Sequence, residues 1–546
     1  MERTSTPQAL LDLKNAAGKT SVSRRELMKL AGAAAVATGV WTMLPNGQRV
    51  FAQADQNVII YGSGQDISNL DPHTGHDYSI TWGQRATYDS LLRFEENPPV
   101  VKPLVAKEVV GSDDATTWTI TLDERAVFPD GTAIDAEVVK WNFARLLELG
   151  LGVAWMFSDV MTADSITIVD AQTLEIALTK PFAPFDLILP WLFIAQPSIV
   201  EENAGDDSGQ TYLLENAAGS GPYSITRWEP GSIYEFTRRE DYWYTDGGAS
   251  KPVDRLIWRI IRESSTKRIA IEAGEVQYGD NFSVEDIEGL AAIESLVIND
   301  TPSYTPFAIK LNNQAGPTAD LNVRKALLAA LDYDAVLGAA NGRGTLMVGP
   351  LPPQFSPWHK EDLEVQRFDL EAAKSFLAQS EYPDGFDLEY VYVTGLDIEE
   401  QVGLILLEKL AELNINLTLT PLVWPDLVAR AADPATAPGM FAVFNSTNYM
   451  DPDNFLWQSY HSSMVGNWSN ASEYANEEID ALLEQGRGTV DPDERKTIYD
   501  DIQQKLVDQA VEIWLYCETA NVAWVKELGD LPVKDNSDIR LLEYTV

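Results

Sequence analysis

The chain has 546 residues, of which 83 are acidic and 40 are basic, and its formal net charge is −43. A chain of this length is too long to fold around a single hydrophobic core, so it predicts two or three domains. A hydrophobic content of 45% is that of a globular protein, and the negative charge disfavours binding to nucleic acid or to anionic membranes. Because the acidic residues are spread along the whole chain, we interpret them as a solvated surface.

The first 54 residues are typical of an export signal. Residues 23–29 read SRRELMK, a twin-arginine pattern, and residues 30–44 form an uncharged stretch that is short for a membrane anchor. Ala52-Gln53-Ala54 fits the small-residue cleavage rule, so we expect cleavage near Ala54 and release into the periplasm. A retained membrane anchor is the alternative. Cys517 is the sole cysteine, which leaves no thiol for a lipid near the cleavage point and predicts a small buried residue.

Short strands, turns and helices alternate through the first part of the chain. Residues 58–61 predict a buried strand, and the alternation over residues 118–122 predicts a strand with one buried face. Residues 128–132, FPDGT, indicate a tight turn before a helix. Alternating residues follow up to Phe236, and helical spacing over residues 320–340 predicts one helix that ends at a glycine.

Residues 387–444 indicate a parallel sheet. Residues 388–393, 415–419 and 440–444 have strand patterns, and residues 398–413 form an amphipathic helix. Two strands joined by a helix imply a βαβ unit. Because ligands of open α/β sheets bind beyond the carboxyl ends of the strands, we expect a crevice where these strands end. The segments at those ends are residues 394–397, 422–426 and 445–451.

The last part of the chain is predicted to be helical. Ile479, Leu482 and Leu483 share a helical face, and Asp491 followed by Pro492 marks the start of a further helix. The sequence has no internal repeat and no low-complexity linker. This predicts domains that are interleaved along the chain.

Six separated segments share the order of one known family: residues 70–72 (LDP) with 88–92 (YDSLL), 118–122 (WTITL) with 127–132 (VFPDGT), 221–223 (GPY) with 241–243 (DYW), 253–276, 322–327 (NVRKAL) and 451–455 (DPDNF). Together they resemble the extracellular solute-binding proteins of the peptide and nickel class, family 5, which serve ABC importers.

The resemblance implies an α/β fold of the periplasmic-binding-protein type II, cluster C: a two-lobed clamshell with a third, inserted domain. It implies lobe I at residues 55–93, 191–306 and 519–546, inserted domain II at residues 94–190, and lobe III at residues 307–518. It also implies a monomer that captures a small molecule or peptide and delivers it to ABC permease subunits in the inner membrane. No cofactor is expected.

The resemblance also bears on the ligand. In peptide-binding members an aspartate receives the ligand's α-ammonium, and the matching position, counted back from Asp451, is Asn448. An asparagine cannot neutralise a cation, and a buried ammonium without a counter-ion costs about 3–5 kcal/mol. Dipeptide-binding members also hold the ligand's carboxylate with an arginine near residues 391–398, yet residues 375–408 contain no Arg or Lys. We therefore expect a peptide or peptide-like solute other than a short free peptide, or else an oligosaccharide, an opine-like compound or another weakly charged polar ligand.

Except for Gly64, which offers only its backbone, the candidate ligand-binding residues carry amides, hydroxyls, aromatic rings or a spare carboxylate. They are Ser63, Gly64, Gln65, Thr394, Asn445, Ser446, Thr447, Asn448, Tyr449, Asp451 and Trp457. The resemblance places residues 63–65 on the pocket floor. An ordinary turn is the alternative for these three, a helix N-cap for Asp451, and core packing for Trp457.

Metal and enzyme chemistry have little support in the sequence. His73 and His76 are separated by two residues, but no dense group of histidines, cysteines and carboxylates has ligand spacing, so no metal is predicted. We expect His73 to lie exposed in the turn after Pro72. Because Gly-x-Ser-x-Gly and His-Glu-x-x-His are both absent, an exported hydrolase stays a remote alternative.

Overall fold

The computed structural model describes residues 41–43, 49–51, 57–95, 98–245, 253–445, 447–529 and 531. The chain divides into two compact units, residues 1–58 and residues 59–546. In the first unit, β1 (Trp41–Met43) and β2 (Arg49–Phe51) pair in an antiparallel manner. The twin-arginine pair and the cleavage site near Ala54 lie outside the described residues.

A seven-stranded sheet is built from distant parts of the chain. Its strands are β3 (Val58–Ser63), β10 (Tyr223–Glu229), β11 (Ile233–Arg238), β12 (Arg255–Ile260), β13 (Tyr278–Gly279), β14 (Leu296–Ile298) and β21 (Ala523–Val525). Their order is β10-β11-β12-β3-β13-β21-β14, and β13 is parallel to β3. The aromatic rings of Tyr61, Trp82 and Trp258 pack together in its core. The strand predicted at residues 58–61 is confirmed, and the alternating stretch up to Phe236 is the hairpin of β10 and β11.

A four-stranded antiparallel sheet lies between β3 and β10 in the sequence. Its strands are β6 (Ala106–Gly111), β7 (Thr117–Leu122), β8 (Ile166–Asp170) and β9 (Thr173–Ala177), and the ribbon of β4 (Leu92–Glu95) and β5 (Val100–Pro103) precedes it. Alternate residues of β7 are buried, as predicted. The turn predicted at residues 128–132 is also present: Phe128 N–H donates to the carbonyl of Thr132, and Gly131 takes a positive φ of 85°.

A six-stranded sheet forms the C-terminal half of the second unit. Its strands are β15 (Pro302–Leu311), β16 (Gly344–Leu346), β17 (Asp387–Val393), β18 (Asn416–Leu422), β19 (Met440–Phe444) and β20 (Glu512–Thr519), in the order β16-β20-β15-β19-β17-β18. Strand β17 is parallel to both β18 and β19, so the predicted βαβ unit is confirmed. The carboxyl ends of these three strands therefore lie at the same edge of the sheet.

The described helices cover the sheets and link their strands: α1 (Tyr78–Thr87), α2 (Ala136–Leu149), α3 (Ala154–Ser158), α4 (Phe185–Ile188), α5 (Pro197–Glu202), α6 (Gln210–Leu213), α7 (Ser264–Glu272), α8 (Val284–Ala291), α9 (Leu321–Ala330), α10 (Tyr333–Ala339), α11 (Leu370–Leu377), α12 (Asp397–Ala411), α13 (Trp424–Ala431), α14 (Pro452–Tyr460), α15 (Glu477–Gly488) and α16 (Pro492–Asp508). Short 3₁₀ turns lie at Ala163–Ser165, Leu189–Trp191, Pro317–Ala319, Ser462–Met464, Trp468–Asn470 and Lys526–Leu528. Within the described part of the chain, none of these helices has both the length and the apolar character needed to cross a bilayer.

The single helix predicted over residues 320–340 is wrong. Helix α9 ends at Ala330, the next residue Leu331 has an extended ψ of 125°, and α10 begins after Asp332. The carboxylate of Asp332 accepts from the N–H of Ala335 at 3.0 Å. This side-chain cap offers the backbone an alternative to continuing the helix.

Two segments join the seven-stranded sheet to the six-stranded sheet, at residues 299–301 and 520–522. The guanidinium of Arg343 bridges them: Nε donates to Oδ1 of Asn521 at 2.6 Å, and Nη2 donates to the carbonyl of Asn299 at 2.9 Å. The domain bounds drawn from the resemblance stay a prediction. Strands β15 and β20 extend across the expected boundaries at residues 306 and 518.

Candidate functional site

The segment that follows β19 is fixed to the neighbouring strand β15. Asn445 N–H donates to the carbonyl of Pro306 at 2.9 Å, and the hydroxyl of Thr447 donates to the carbonyl of Tyr304. Thr447 is buried and Asn445 is half-buried, whereas Ser446 lies outside the described residues. These bonds hold Asn445 and Thr447 at the edge where the sequence predicts a crevice.

Asn448 lies where three distant parts of the chain meet. Its side-chain oxygen is 3.0 Å from Nε2 of His76, and its backbone carbonyl accepts from the indole N–H of Trp191 at 2.7 Å. Its own N–H donates to Oδ1 of Asn454 at 3.1 Å. In the sequence, His76 and Trp191 lie between strands β3 and β10 of the seven-stranded sheet, whereas Asn448 follows strand β19 of the six-stranded sheet. These contacts therefore connect segments that are far apart in the chain.

The side chains around Asn448 include a histidine, a tryptophan and a nearby arginine. The rings of His76 and Trp191 meet edge to face, with centroids 4.9 Å apart. Burial lowers the pKa of His76 and outweighs the hydrogen bond to Asn448 and the charge of Asp77, which both raise it, while the charge of Arg85 adds the smallest effect, a lowering. The guanidinium of Arg85 lies 5.0 Å from the ring centroid of Trp191. The imidazole facing Asn448 is therefore uncharged near neutral pH.

Asp451 does not present a spare carboxylate. It caps α14 by accepting from the N–H of Asp453, and it pairs with both terminal nitrogens of Arg495 at 2.7 and 2.9 Å. The N-cap interpretation is confirmed. Because Asp451 is 1% exposed and its oxygens are engaged, it cannot replace the charge that Asn448 lacks.

Tyr449 and Trp457 are core residues. Tyr449 packs in the apolar cluster of the four-stranded sheet, and its hydroxyl donates to Asp453 at 2.7 Å. The ring of Trp457 stacks on His461 at 3.8 Å and on the guanidinium of Arg487 at 3.3 Å. Two groups this close to one ring centroid occupy opposite faces, so Trp457 has no face left for a ligand, and the core-packing interpretation holds.

The remaining candidates lie at strand ends and make local contacts. Ser63 is fully buried and its hydroxyl accepts from Gln65 N–H at 3.2 Å, which is an ordinary turn. Gly64 is half-buried and Gln65 is exposed. Thr394 is exposed, and its N–H donates to the carbonyl of Leu422 at 2.8 Å. Among the described residues, no hydrogen bond joins any of these four to Asn448.

The exposed position predicted for His73 is wrong. Its side chain is fully buried, with Nε2 3.2 Å from the carbonyl of Phe193 and Nδ1 3.0 Å from Nη1 of Arg145. The same arginine pairs with Asp71 at 2.6 Å, which draws the turn into the protein. Burial lowers the pKa of His73 to about 4. In the described part of the chain, no group of His, Cys, Asp and Glu could hold a metal.

Sequence reasoning missed His76 and Trp191 as partners of Asn448. His76 was considered only as half of a metal-binding pair, and Trp191 carried no motif. No local signal could have found them, because 372 and 257 residues separate them from Asn448.

Comparison with known proteins identifies the family. The profile described as "Bacterial extracellular solute-binding proteins, family 5 Middle" matches residues 100–467, more than half of the chain. The chain belongs to family 5 of the bacterial extracellular solute-binding proteins. It is therefore a solute-binding protein of the ABC-importer class and not an enzyme, as the six segments predicted.

Relatives of this family 5 protein extend along almost all of its length. The probable D,D-dipeptide-binding periplasmic protein DdpA of Escherichia coli is 27% identical over 489 residues, which cover 87% of this chain and 92% of the relative. Heme-binding protein A of Haemophilus influenzae is 25% identical over 485 residues, 84% of this chain and 86% of the relative.

Solved structures show the same fold. The periplasmic binding protein DppA from Helicobacter pylori, in complex with the peptide STSA, matches with a TM-score of 0.78 at 20% identity, over 90% of this chain and 98% of that one. NikA from Brucella suis, in complex with Fe(III)-EDTA, matches with a TM-score of 0.77 at 22% identity, over 89% of this chain and 99% of that one. The predicted fold class, periplasmic binding protein type II, is confirmed.

Proposed function

We propose that this family 5 protein is exported to the periplasm, binds a peptide or peptide-like solute, and passes it unaltered to the permease subunits of an ABC importer in the inner membrane. The family membership and the names of the relatives support this role. Export by the twin-arginine route, with cleavage near Ala54, is supported by residues 23–54 of the sequence. The protein acts as a monomer in this proposal.

The proposed ligand site is the edge that carries Asn445, Thr447 and Asn448, opposite His76 and Trp191. Ser446, residues 63–65 and Thr394 stay candidates at its periphery. The single observation that carries the proposal is the pairing of Asn448 with an uncharged imidazole, with Arg85 nearby and no carboxylate in hydrogen-bond contact with Asn448 among the described residues.

This environment favours a ligand group that is polar and uncharged. A peptide whose amino end is acylated or cyclised meets this condition, because it brings an amide in place of an ammonium. An oligosaccharide or an opine-like compound is the second candidate, since the hydroxyl of Thr447 and the amides of Asn445 and Asn448 can exchange hydrogen bonds with hydroxyl groups. Binding favours the closed arrangement of the lobes by as much as the ligand prefers it over the open one.

Thermal-shift screening tests the proposal. A binding solute raises the melting temperature through mass action. We expect the largest shifts from acylated or cyclic peptides, oligosaccharides or opine-like compounds, and mass spectrometry of the mixture should recover the compound unchanged. Largest shifts from dipeptides with a free ammonium would contradict the ligand class, and a product that accumulates with turnover would favour the hydrolase.

A further inference from the structure

His76 holds one polar atom that the protein itself does not use. Its Nε2 lies 3.0 Å from Oδ1 of Asn448, whereas its Nδ1 is buried and has no hydrogen-bond partner among the described residues. Buried side-chain nitrogens nearly always have a partner, and leaving one without a partner costs free energy. The ring is held in place by the edge of Trp191 and by the bond to Asn448.

The contact with Asn448 defines which nitrogen carries the proton. In a neutral imidazole one nitrogen donates and the other accepts. Since Nε2 faces the amide oxygen of Asn448, Nε2 carries the hydrogen and Nδ1 presents a lone pair. The charged groups that act on the ring are Arg85, whose helix α1 follows His76, and Asp77, which is exposed and caps that helix. From the opposite side, Asn448 and its partner Asn454 bring no charge.

These features determine which kind of ligand group can bind to the lone pair of His76 Nδ1. The group must donate a hydrogen bond to Nδ1. Burial is the largest effect on the pKa of His76 and outweighs the opposing effects of Asn448 and Asp77, so this place disfavours a positive charge. An uncharged N–H or O–H donor does not carry this desolvation cost of a buried cation.

We propose that Nδ1 of His76 accepts a hydrogen bond from an uncharged amide N–H or hydroxyl of the bound solute, which makes His76 a specificity-determining residue. The inference rests on the proposed function and adds to it the residue that distinguishes a neutral donor from an ammonium. It also predicts a pH dependence of binding. A protonated ring carries hydrogen on both nitrogens, so it loses the acceptor and gains a charge.

The test is calorimetric titration with three probes: trialanine, N-acetyl-trialanine and maltotriose. The proteins are the wild type, His76→Phe and the matched control His359→Phe, in which the replaced histidine bonds to the carbonyl of Leu351 away from Asn448. We expect the wild type to bind N-acetyl-trialanine or maltotriose at least about tenfold more tightly than trialanine, and His76→Phe to lose that difference. Affinity of the wild type should also fall as the pH drops below the ordinary histidine pKa of 6.5, and His76→Phe should show a smaller fall.

The outcomes separate the two proposals. Binding of the same probe with equal affinity and equal pH dependence by the wild type and His76→Phe would overturn the role of His76 and leave the proposed function intact. Tightest binding of trialanine by the wild type would overturn the neutral-donor selection. If none of the three probes binds the wild type, the proposed ligand class fails, and the role of His76 fails with it. If both variants keep the melting temperature of the wild type, unfolding is excluded as the cause of a loss of affinity.

Discussion

At the scale of single residues, Glu399 is a buried carboxyl group whose pKa lies well above its ordinary value. It lies in the first turn of α12, is fully buried, and accepts from Val393 N–H at 2.7 Å through Oε2. Its Oε1 has no hydrogen-bond partner within the described residues. Burial raises the pKa of Glu399 to about 8, against a smaller lowering by the backbone bond. The carboxyl is therefore mostly protonated at neutral pH.

The raised pKa predicts a pH dependence of stability. Between the usual value of about 4.5 and about 8, the folded protein binds a proton that the unfolded chain releases. The stabilisation is fully present below that window, and the free energy of unfolding falls as the pH rises through it. In Glu399→Gln the neutral amide replaces the protonated acid. The fall in the free energy of unfolding should therefore shrink, by an amount on the order of 5 kcal/mol across the window.

Urea unfolding at several pH values measures this effect. The matched control is Glu400→Gln, which changes the neighbouring exposed residue in the same way. Equal slopes of stability against pH in the wild type and Glu399→Gln would show that the carboxyl is ionised when folded.

At the scale of elements, the start of α14 depends on an ion pair that spans two helices. Asp451 caps α14 and pairs with Arg495 of α16, and both side chains are buried, at 1% and 7% exposure. Asp453 in the first turn of α14 pairs with Arg487 of α15. These contacts fix the helix that directly follows the candidate site, and so they position Asn448.

Two matched substitutions separate the cap from the ion pair. Asparagine caps a helix about as well as aspartate, so Asp451→Asn keeps the cap and removes the charge that faces Arg495. We expect a loss of about 3–5 kcal/mol, because a buried guanidinium is left without its partner. Asp491→Asn at the exposed cap of α16 should cost less than about 0.5 kcal/mol. Chemical unfolding compares the two, and similar losses would show that the ion pair adds nothing.

At the same scale, the sequence predicted elements whose signal is local. The spacing of buried residues predicts the strand β7 and the strand–helix–strand pattern of β17, α12 and β18. A cap and a proline within a few residues of each other predict the start of α16. The break between α9 and α10 was missed because apolar spacing continued across the cap at Asp332. The partner of Asp451 was not predictable, because it lies 44 residues further along the chain.

At the scale of the whole molecule, the site is assembled by long-range folding. Asn448 was predicted at its position from the motif around Asp451, but the neutrality of its surroundings follows from contacts made across hundreds of residues. The sequence indicates that Asn448 lacks the negative charge of an aspartate, but it does not reveal that the imidazole of His76 faces the amide of Asn448. The same limit explains His73, whose burial depends on Arg145.

A calorimetric comparison of the wild type and Asn448→Asp, with trialanine and N-acetyl-trialanine as paired probes, tests the central claim most directly. The claim is that this solute-binding protein recognises an uncharged group at Asn448. The wild type should prefer the acetylated probe, and the new carboxylate should shift the preference toward the ammonium of trialanine by about tenfold or more. The same preference in both proteins, or tighter binding of trialanine by the wild type, would contradict it.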